Sequence, residues 1–260
     1  MNDKISENKK HINPFLQPYN TPHNAVPFDK IELGDYEEAM MEGIRRENEQ
    51  VEKIINNPDE PTFENTIIPE DDVKGRTHYY DLLDRTTTVF FNLLSAESND
   101  DMEALAQKMS PILTSHANDI SLNPKLFERI KYVHEHHRKL STEENMLLER
   151  SYDGFVRSGA LLDEAGKAKL RELSEESSKL SLLFSQNLLK ENKAFTLDIT
   201  DEKQLDGLPD TVREAARDTA KEQGKEGWVF TLDAPSYGPF MMYSTQRDLR
   251  KKLYMARAKQ

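Results

Sequence analysis

Apolar residues recur every three or four positions along most of this chain, and only two short stretches switch to strict alternation. The first pattern predicts amphipathic helices that bury one stripe, and the second predicts strands. Tyr36, Met40, Ile44, Val51 and Ile55 fall near one face of a helix predicted from Asp35, as N-cap, to about Asn56, where Asn57-Pro58 stops it. PTFENTI at 61–67 predicts a turn that enters a further helix. A helix rich in leucine and phenylalanine is predicted over 77–97. The next, capped by Asn99 or Asp100, carries Met102, Leu105, Met109, Ile112, Leu113 and Ile120, and Pro111 should kink or break it. Asn123-Pro124 predicts a helix start with proline at the first position, after which Leu126, Ile130 and Val133 share a face. Ser141 with Glu144 has the form of a capping box and opens a helix ending near Gly159. Asp163 caps the longest predicted helix, to about Asn192. In it Leu170, Leu173, Leu180 and Phe184 are spaced for an antiparallel, coiled-coil-like hairpin.

Near residue 195 the period changes. Phe195, Leu197 and Ile199 alternate, as do Trp228, Phe230 and Leu232, and the two strands so predicted (about 195–199 and 228–233) are candidates to pair. Between them a short helix follows Gly207-Leu208-Pro209 and ends at Gly224. Pro235, Gly238 and Pro239 predict a turn, and a last helix carries Leu249, Leu253 and Ala256. At the other end, Pro14, Pro18, Pro22 and Pro27 recur too often for a helix, because each removes a backbone donor and constrains its neighbour. Residues 1–30 therefore read as an extended lead-in pinned to a surface by Phe15, Leu16, Tyr19, Val26 and Phe28. The fold class expected is mainly α: a multi-helix lobe of long antiparallel helices over 1–194, lead-in included. A strand–helix–strand–helix region with a small β element follows over 195–260. Helical residues still run at Gln260, which is read as a truncation.

Composition narrows the function classes. Hydrophobic residues make up 36% and charged residues 32%, a polar balance that suits helices burying a single stripe. The net charge of −12 opposes phosphate-backbone binding, which needs clustered Lys and Arg, so nucleic acid is not expected as a partner. The absence of cysteine removes disulfides, thiolate chemistry and Cys-ligated zinc. MNDKISENKK has no apolar signal core, no later stretch is long enough to span a bilayer, and only RDLRKK (247–252) offers a basic face for a membrane surface. The chain as given is expected in the cytoplasm and off membranes. A periplasmic or exported parent stays open if a signal has been removed.

Candidate chemistry is sparse. His134, His136 and His137 cluster in VHEHHRK, where His134 and His137 could reach one metal from a helix face. Catalytic zinc on a helix wants HExxH, however, and position 138 is Arg138. No HExxH occurs anywhere in the chain, nor does GxSxG or a phosphate-cradling glycine motif. Adjacent acids such as Glu37-Glu38, Asp71-Asp72, Asp100-Asp101, Glu143-Glu144 and Glu175-Glu176 read as caps or solvated faces rather than acid–base pairs. The densest segment is WVFTLDAPSYGPFMMYSTQRDLRKKLYMA (228–256). It reads either as a packed strand–turn–helix unit or as a sheet edge with an aromatic turn beside a peptide channel, where strand addition holds extended peptides. Tyr237, Phe240, Tyr243 and Arg247 are the residues singled out under both readings.

That segment resembles the entry into the catalytic part of the thimet-oligopeptidase/peptidyl-dipeptidase family, with the bacterial peptidyl-dipeptidase branch nearest. NPFLQPYNTPHNAVPFDKI (13–31), PTFENTI (61–67), VFFNLLSAESND (89–100), FVRSGALL (155–162) and GLP (207–209) resemble family stretches in the same order. Pro69, an acidic run and Gly75 at 67–83 depart from the family's direct entry into a leucine-rich helix. The resemblance implies an almost wholly helical two-lobed fold around a channel, with Zn²⁺ held by HExxH and a distant Glu in the C-terminal half. None of those catalytic or metal residues has a counterpart here. The expectation is a non-catalytic N-terminal lobe that holds no cofactor and forms one wall of the channel. Its partners would be the C-terminal catalytic part of the same polypeptide and the short peptides that the parent cleaves, which the resemblance implies it shortens by C-terminal dipeptides. The alternative is a free-standing helical interaction module.

Overall fold

A computed structural model describes residues 11–73, 82–136 and 139–259. The expectations for 1–10, for the start of the helix drawn from 77, for Gly75, for His137 and for Gln260 lie outside the described residues. The fold is mainly α with one two-stranded sheet, as the periodicities predict. The chain packs as two units, residues 1–180 and 181–260.

The first unit contains α1 (Leu33–Ile55), α2 (Ile68–Val73), α3 (Leu82–Ala96), α4 (Asp100–Ser121), α5 (Pro124–His136) and α6 (Thr142–Arg157). In it also begins α7 (Glu164–Ala194), which continues into the second unit. The N-cap of α1 is Glu32 rather than Asp35. Asp35 is the third helical residue, and its carboxylate reaches back to accept the Glu32 N–H at 2.7 Å, so the two acids share a capping box. Asn99, Asn123 and Ser141 cap α4, α5 and α6 by accepting the N–H groups of Met102, Leu126 and Glu144. The expected break at Pro111 does not occur: α4 runs through it. A proline removes one backbone donor, and buried Leu105 and Met109 before it and Ile120 after it keep the face packed.

One core joins Val51 and Ile54 of α1, Phe63 and Ile67 of the PTFENTI turn, Leu126, Ile130 and Val133 of α5 and Leu148 and Phe155 of α6. The turn is organised by Asn65. Its side-chain oxygen accepts from Thr62 N at 2.8 Å, Thr66 Oγ1 at 2.8 Å and Arg129 Nη2 at 3.2 Å, while its amide donates to Glu60 O at 2.9 Å. The lead-in forms short 3-10 turns at Pro14–Leu16, Pro22–Asn24 and Phe28–Lys30, and it enters the interior. Phe15 is fully buried with its ring 5.2 Å from Tyr36, which lies 5.2 Å from Phe90 of α3. Arg85 donates to the Phe15 carbonyl and lies over the Tyr19 ring at 5.0 Å. Helices α1 and α3 approach so closely at Gly43 that an added Cβ would sit 2.8 Å from Leu83 Cβ.

The hairpin expected from α7 is not packed as drawn. Leu173, Leu180 and Phe184 face solvent, the last at 65% exposure, and Gln186 is the buried side chain among the described residues of this helix. Contact between α4 and α7 runs instead through small polar groups, Ser110 and Thr114 to Ser178 at 2.8 and 3.0 Å.

The second unit places β1 (Leu197–Ile199) antiparallel to β2 (Trp228–Phe230), with Leu197 opposite Phe230 and Ile199 opposite Trp228. Around them lie α8 (Asp210–Glu222), α9 (Ala234–Tyr243) and α10 (Arg247–Arg257). The turn expected at Pro235, Gly238 and Pro239 is a helix, α9. Pro235 sits in its first turn, where no backbone donor is required, and Pro239 removes only one later bond.

Candidate functional site

The segment singled out in the sequence forms the body of the second unit. Leu197, Ile199, Leu205, Trp228, Phe230, Leu232, Phe240 and Leu253 make its core. Phe240 is fully buried, edge-on to Phe230 at 4.6 Å between ring centres, which places it in the interior. Tyr237 is half-buried beneath the Arg257 guanidinium at 4.6 Å, and Arg257 also donates to the Leu232 carbonyl at 2.8 Å. Tyr243 and Arg247 are exposed, next to Met242 at 73% exposure. The four residues therefore divide: two support the fold, and two lie on a surface that an apolar or acidic group can reach.

The GLP stretch owes its glycine to this unit. Gly207 has φ +87°, and an added Cβ would lie 2.2 Å from the Tyr243 carbonyl at the end of α9. Thr245 completes the junction by donating its N–H to Asp206 O at 3.0 Å and its hydroxyl to Asp206 Oδ2 at 2.8 Å.

Beside α10 lies a cavity of about 390 Å³ bounded by Phe195, Leu232, Met255, Lys252, Lys259 and Glu191, among others. Its floor is apolar and its lysines are exposed. On β1, burial acts to raise the Asp198 carboxyl. Hydrogen bonds from Lys225 and Thr196, with the charges of Lys225 and Lys252, outweigh burial and hold it below the ordinary aspartate value.

His134, His136, Glu37 and Glu144 are occupied by structural partners. His134 stacks on Tyr152 at 4.0 Å and pairs with Glu149 at 3.2 Å, whereas His136 donates through Nδ1 to the Tyr132 carbonyl at 2.9 Å. The two rings thus turn to different neighbours, and no group of three or more His, Asp or Glu side chains among the described residues is placed to hold a metal. Glu144 serves the α6 capping box, where the Ser141 backbone N–H lowers its carboxyl, and Glu37 pairs with Lys108 at 2.5 Å. The sequence reading missed a buried hydrogen bond between side chains. His116 of α4, 6% exposed, meets Glu47 of α1, 11% exposed, at 2.6 Å. Its signal was positional: His116 continues the buried stripe of Met102, Leu105 and Met109.

Three comparisons define the class. The chain is 34% identical over 248 residues to dipeptidyl carboxypeptidase of Escherichia coli K12, covering 94% of this chain and 36% of that protein. It is 26% identical over 246 residues to oligopeptidase A of the same organism, covering 94% and 35%. A shorter match joins it to saccharolysin of Saccharomyces cerevisiae, 27% over 111 residues, covering 42% and 15%. No family model matches the chain. The first two are peptidases by name, and the chain spans about a third of the length of each. Along nearly its whole length the chain is similar to peptidases of the thimet-oligopeptidase/peptidyl-dipeptidase family.

Proposed function

We propose that this chain is the non-catalytic N-terminal lobe of a zinc oligopeptidase that cleaves short peptides, releasing dipeptides from their C-termini, and that it forms one wall of the substrate channel. The observation that carries the reading is a pairing: similarity to named peptidases runs through 94% of the chain, yet the chain contains no HExxH. Hydrolytic zinc chemistry, a polarised carbonyl and an activated water, then belongs to the C-terminal catalytic part of the same polypeptide. The exposed leucines and Phe184 of α7 are the surface proposed to meet it, because a contiguous apolar stripe favours being covered. Tyr243 and Arg247 are proposed to face the peptide.

A quenched fluorescent peptide assayed with residues 1–260, with and without added zinc, tests the assignment. No turnover is expected in either condition, and zinc-dependent turnover by clean material refutes it. The same α7 stripe also favours the alternative, a free-standing helical interaction module. The reading frame beyond Gln260 separates the two, since an HExxH downstream supports the peptidase and a stop codon supports the module. Neither nucleic acid nor membrane is proposed as a partner. A cytoplasmic location for the chain as given, or an exported parent with its signal removed, is decided by fractionating cells that express the parent.

A further inference from the structure

We infer that the cavity between the lead-in and helices α1 and α3 is a binding site for a tetrahedral oxyanion of the phosphate class, held by the guanidinium groups of Arg46 and Arg85. The cavity measures about 330 Å³, at the small end of ligand sites, and its wall carries Phe15, Leu16, Tyr19 and Asn24 beside the two arginines. Arg46 comes from α1, Arg85 from α3 and the rest from the lead-in, so the whole cavity lies in the first unit.

Unbalanced charge sets the ligand class. Arg85 is half-buried, donates to the Phe15 carbonyl and lies over the Tyr19 ring, and among the described residues no carboxylate pairs with it. Arg46 meets Glu42 through Nε alone, at 2.7 Å, and Glu42 is shared with Arg45 at 2.7 Å. The outer nitrogens of Arg46 therefore have no carboxylate of their own among the described residues. Two guanidinium groups bordering one partly apolar cavity repel each other, and an anion between them relieves both. A second observation marks the same place as underpaired. The Arg85 Nε–H and the Tyr19 hydroxyl are both buried with no hydrogen-bond partner among the described residues. The guanidinium charge is delocalised, so an anion at its outer edge also offsets the burial of Nε. Burial raises the Tyr19 hydroxyl above its ordinary value, against the lowering charge of Arg85, so this group stays neutral and does not supply the missing negative charge. Two planar forks present more N–H donors than the two oxygens of a carboxylate serve, whereas a phosphate offers further acceptor oxygens. Seated there, the anion would tie the lead-in to α1 and α3, adding to the bond that Arg85 makes with the Phe15 carbonyl.

The test is NMR titration of the isotope-labelled 260-residue chain with inorganic phosphate, glycerol 3-phosphate and acetate, at constant ionic strength made up with chloride. Saturable shifts of the Arg46 and Arg85 Nε–H signals are expected with both phosphates, and acetate should bind more weakly by about fivefold or more. Arg46 is exposed, so Arg46→Gln should keep the parent amide spectrum while weakening both phosphates by about fivefold. Arg85→Lys keeps the charge and loses the fork, and should weaken them by about tenfold. Amide exchange at Phe15, Leu16, Gln17 and Tyr19 should slow when phosphate saturates the parent, and should not slow in Arg46→Gln at the same concentration. No saturable shift, acetate as tight as phosphate, or full affinity in Arg46→Gln would overturn the site. Unchanged exchange in the saturated parent would overturn the tie to the lead-in. Tighter binding of glycerol 3-phosphate assigns the source to a phosphomonoester whose body rests against Leu16, and tighter binding of inorganic phosphate assigns it to the free ion; both support the site.

Discussion

The close approach of α1 and α3 makes Gly43→Ala a sharp test of the packing. Alanine is the better helix former, and in an open helical position the change should stabilise by about 1 kcal/mol. Gly43 is not open. The new methyl would lie 2.8 Å from Leu83 Cβ and 2.9 Å from its Cα and N, and two of those atoms are backbone. Rotating a side chain cannot relieve such a contact, so α3 must shift. That helix is anchored by Phe90 against Tyr36 and by Arg85 on the Phe15 carbonyl. Overpacking of this kind costs about 1–3 kcal/mol, and with rigid neighbours the upper half applies, leaving a net loss of about 1–2 kcal/mol after the propensity gain. Gly154→Ala in α6 is the control, because nothing lies within 4 Å of its added Cβ. Urea unfolding followed by far-UV circular dichroism should show a lower midpoint for Gly43→Ala, by about 0.5 M, and a raised one for Gly154→Ala. A Gly43→Ala protein that gains stability as the control does would refute the stated geometry.

Other outcomes follow from the same coordinates. Asn65→Ala removes the acceptor for Thr62, Thr66 and Arg129 at once and should cost about 2 kcal/mol in thermal or urea unfolding; a loss below the error of the measurement would mean the turn does not depend on it. Phe240→Ala should destabilise the second unit by about 3–5 kcal/mol, read through the fluorescence of Trp228, the single tryptophan. His11 should titrate above the ordinary value of 6.5, chiefly because it hydrogen-bonds Asp35 at 2.8 Å. A raised folded value means that its stabilising contribution is present below the unfolded value and is lost as pH rises through the folded one. Amide protection around Asn13–Phe15 should accordingly fall above neutrality, and Asp35→Asn should return the His11 midpoint to the ordinary range.

Helical spans were legible wherever an apolar stripe coincided with a capping residue. Ser141 with Glu144, Asn123-Pro124 and Asn99 each set a boundary through local hydrogen bonds, which depend on residues a few positions away. Errors arose where the outcome depended on distant packing. Asp35 resembles a cap because its carboxylate does serve the helix start, but from the third position, with Glu32 at the end. Pro111 and the Pro235–Pro239 stretch read as breaks because sequence shows the lost donor and not the burial that outweighs it. The α7 leucines read as a buried seam because spacing predicts a face but not what covers it. At the candidate site, the aromatic density of 228–256 was visible, whereas the division between interior Phe240 and exposed Tyr243 required the sheet and α9 in place. The cavity beside α10 was not legible, because Phe195 and Met255 are far apart in sequence and meet only once β1, β2 and α10 assemble.

The interior place of Phe15 bears on how the polypeptide is made. A ribosome releases this phenylalanine before the arginine that fastens its carbonyl, which lies 70 residues downstream. Until α3 emerges, Phe15 has Tyr36 of α1 to pack on but neither Phe90 behind it nor Arg85 on its carbonyl, and the proline-rich strip stays open to proteases and to chaperones. Clipping it during synthesis would leave Tyr36 and Phe90 bare, so an early cut should impair the whole first unit rather than trim a dispensable leader.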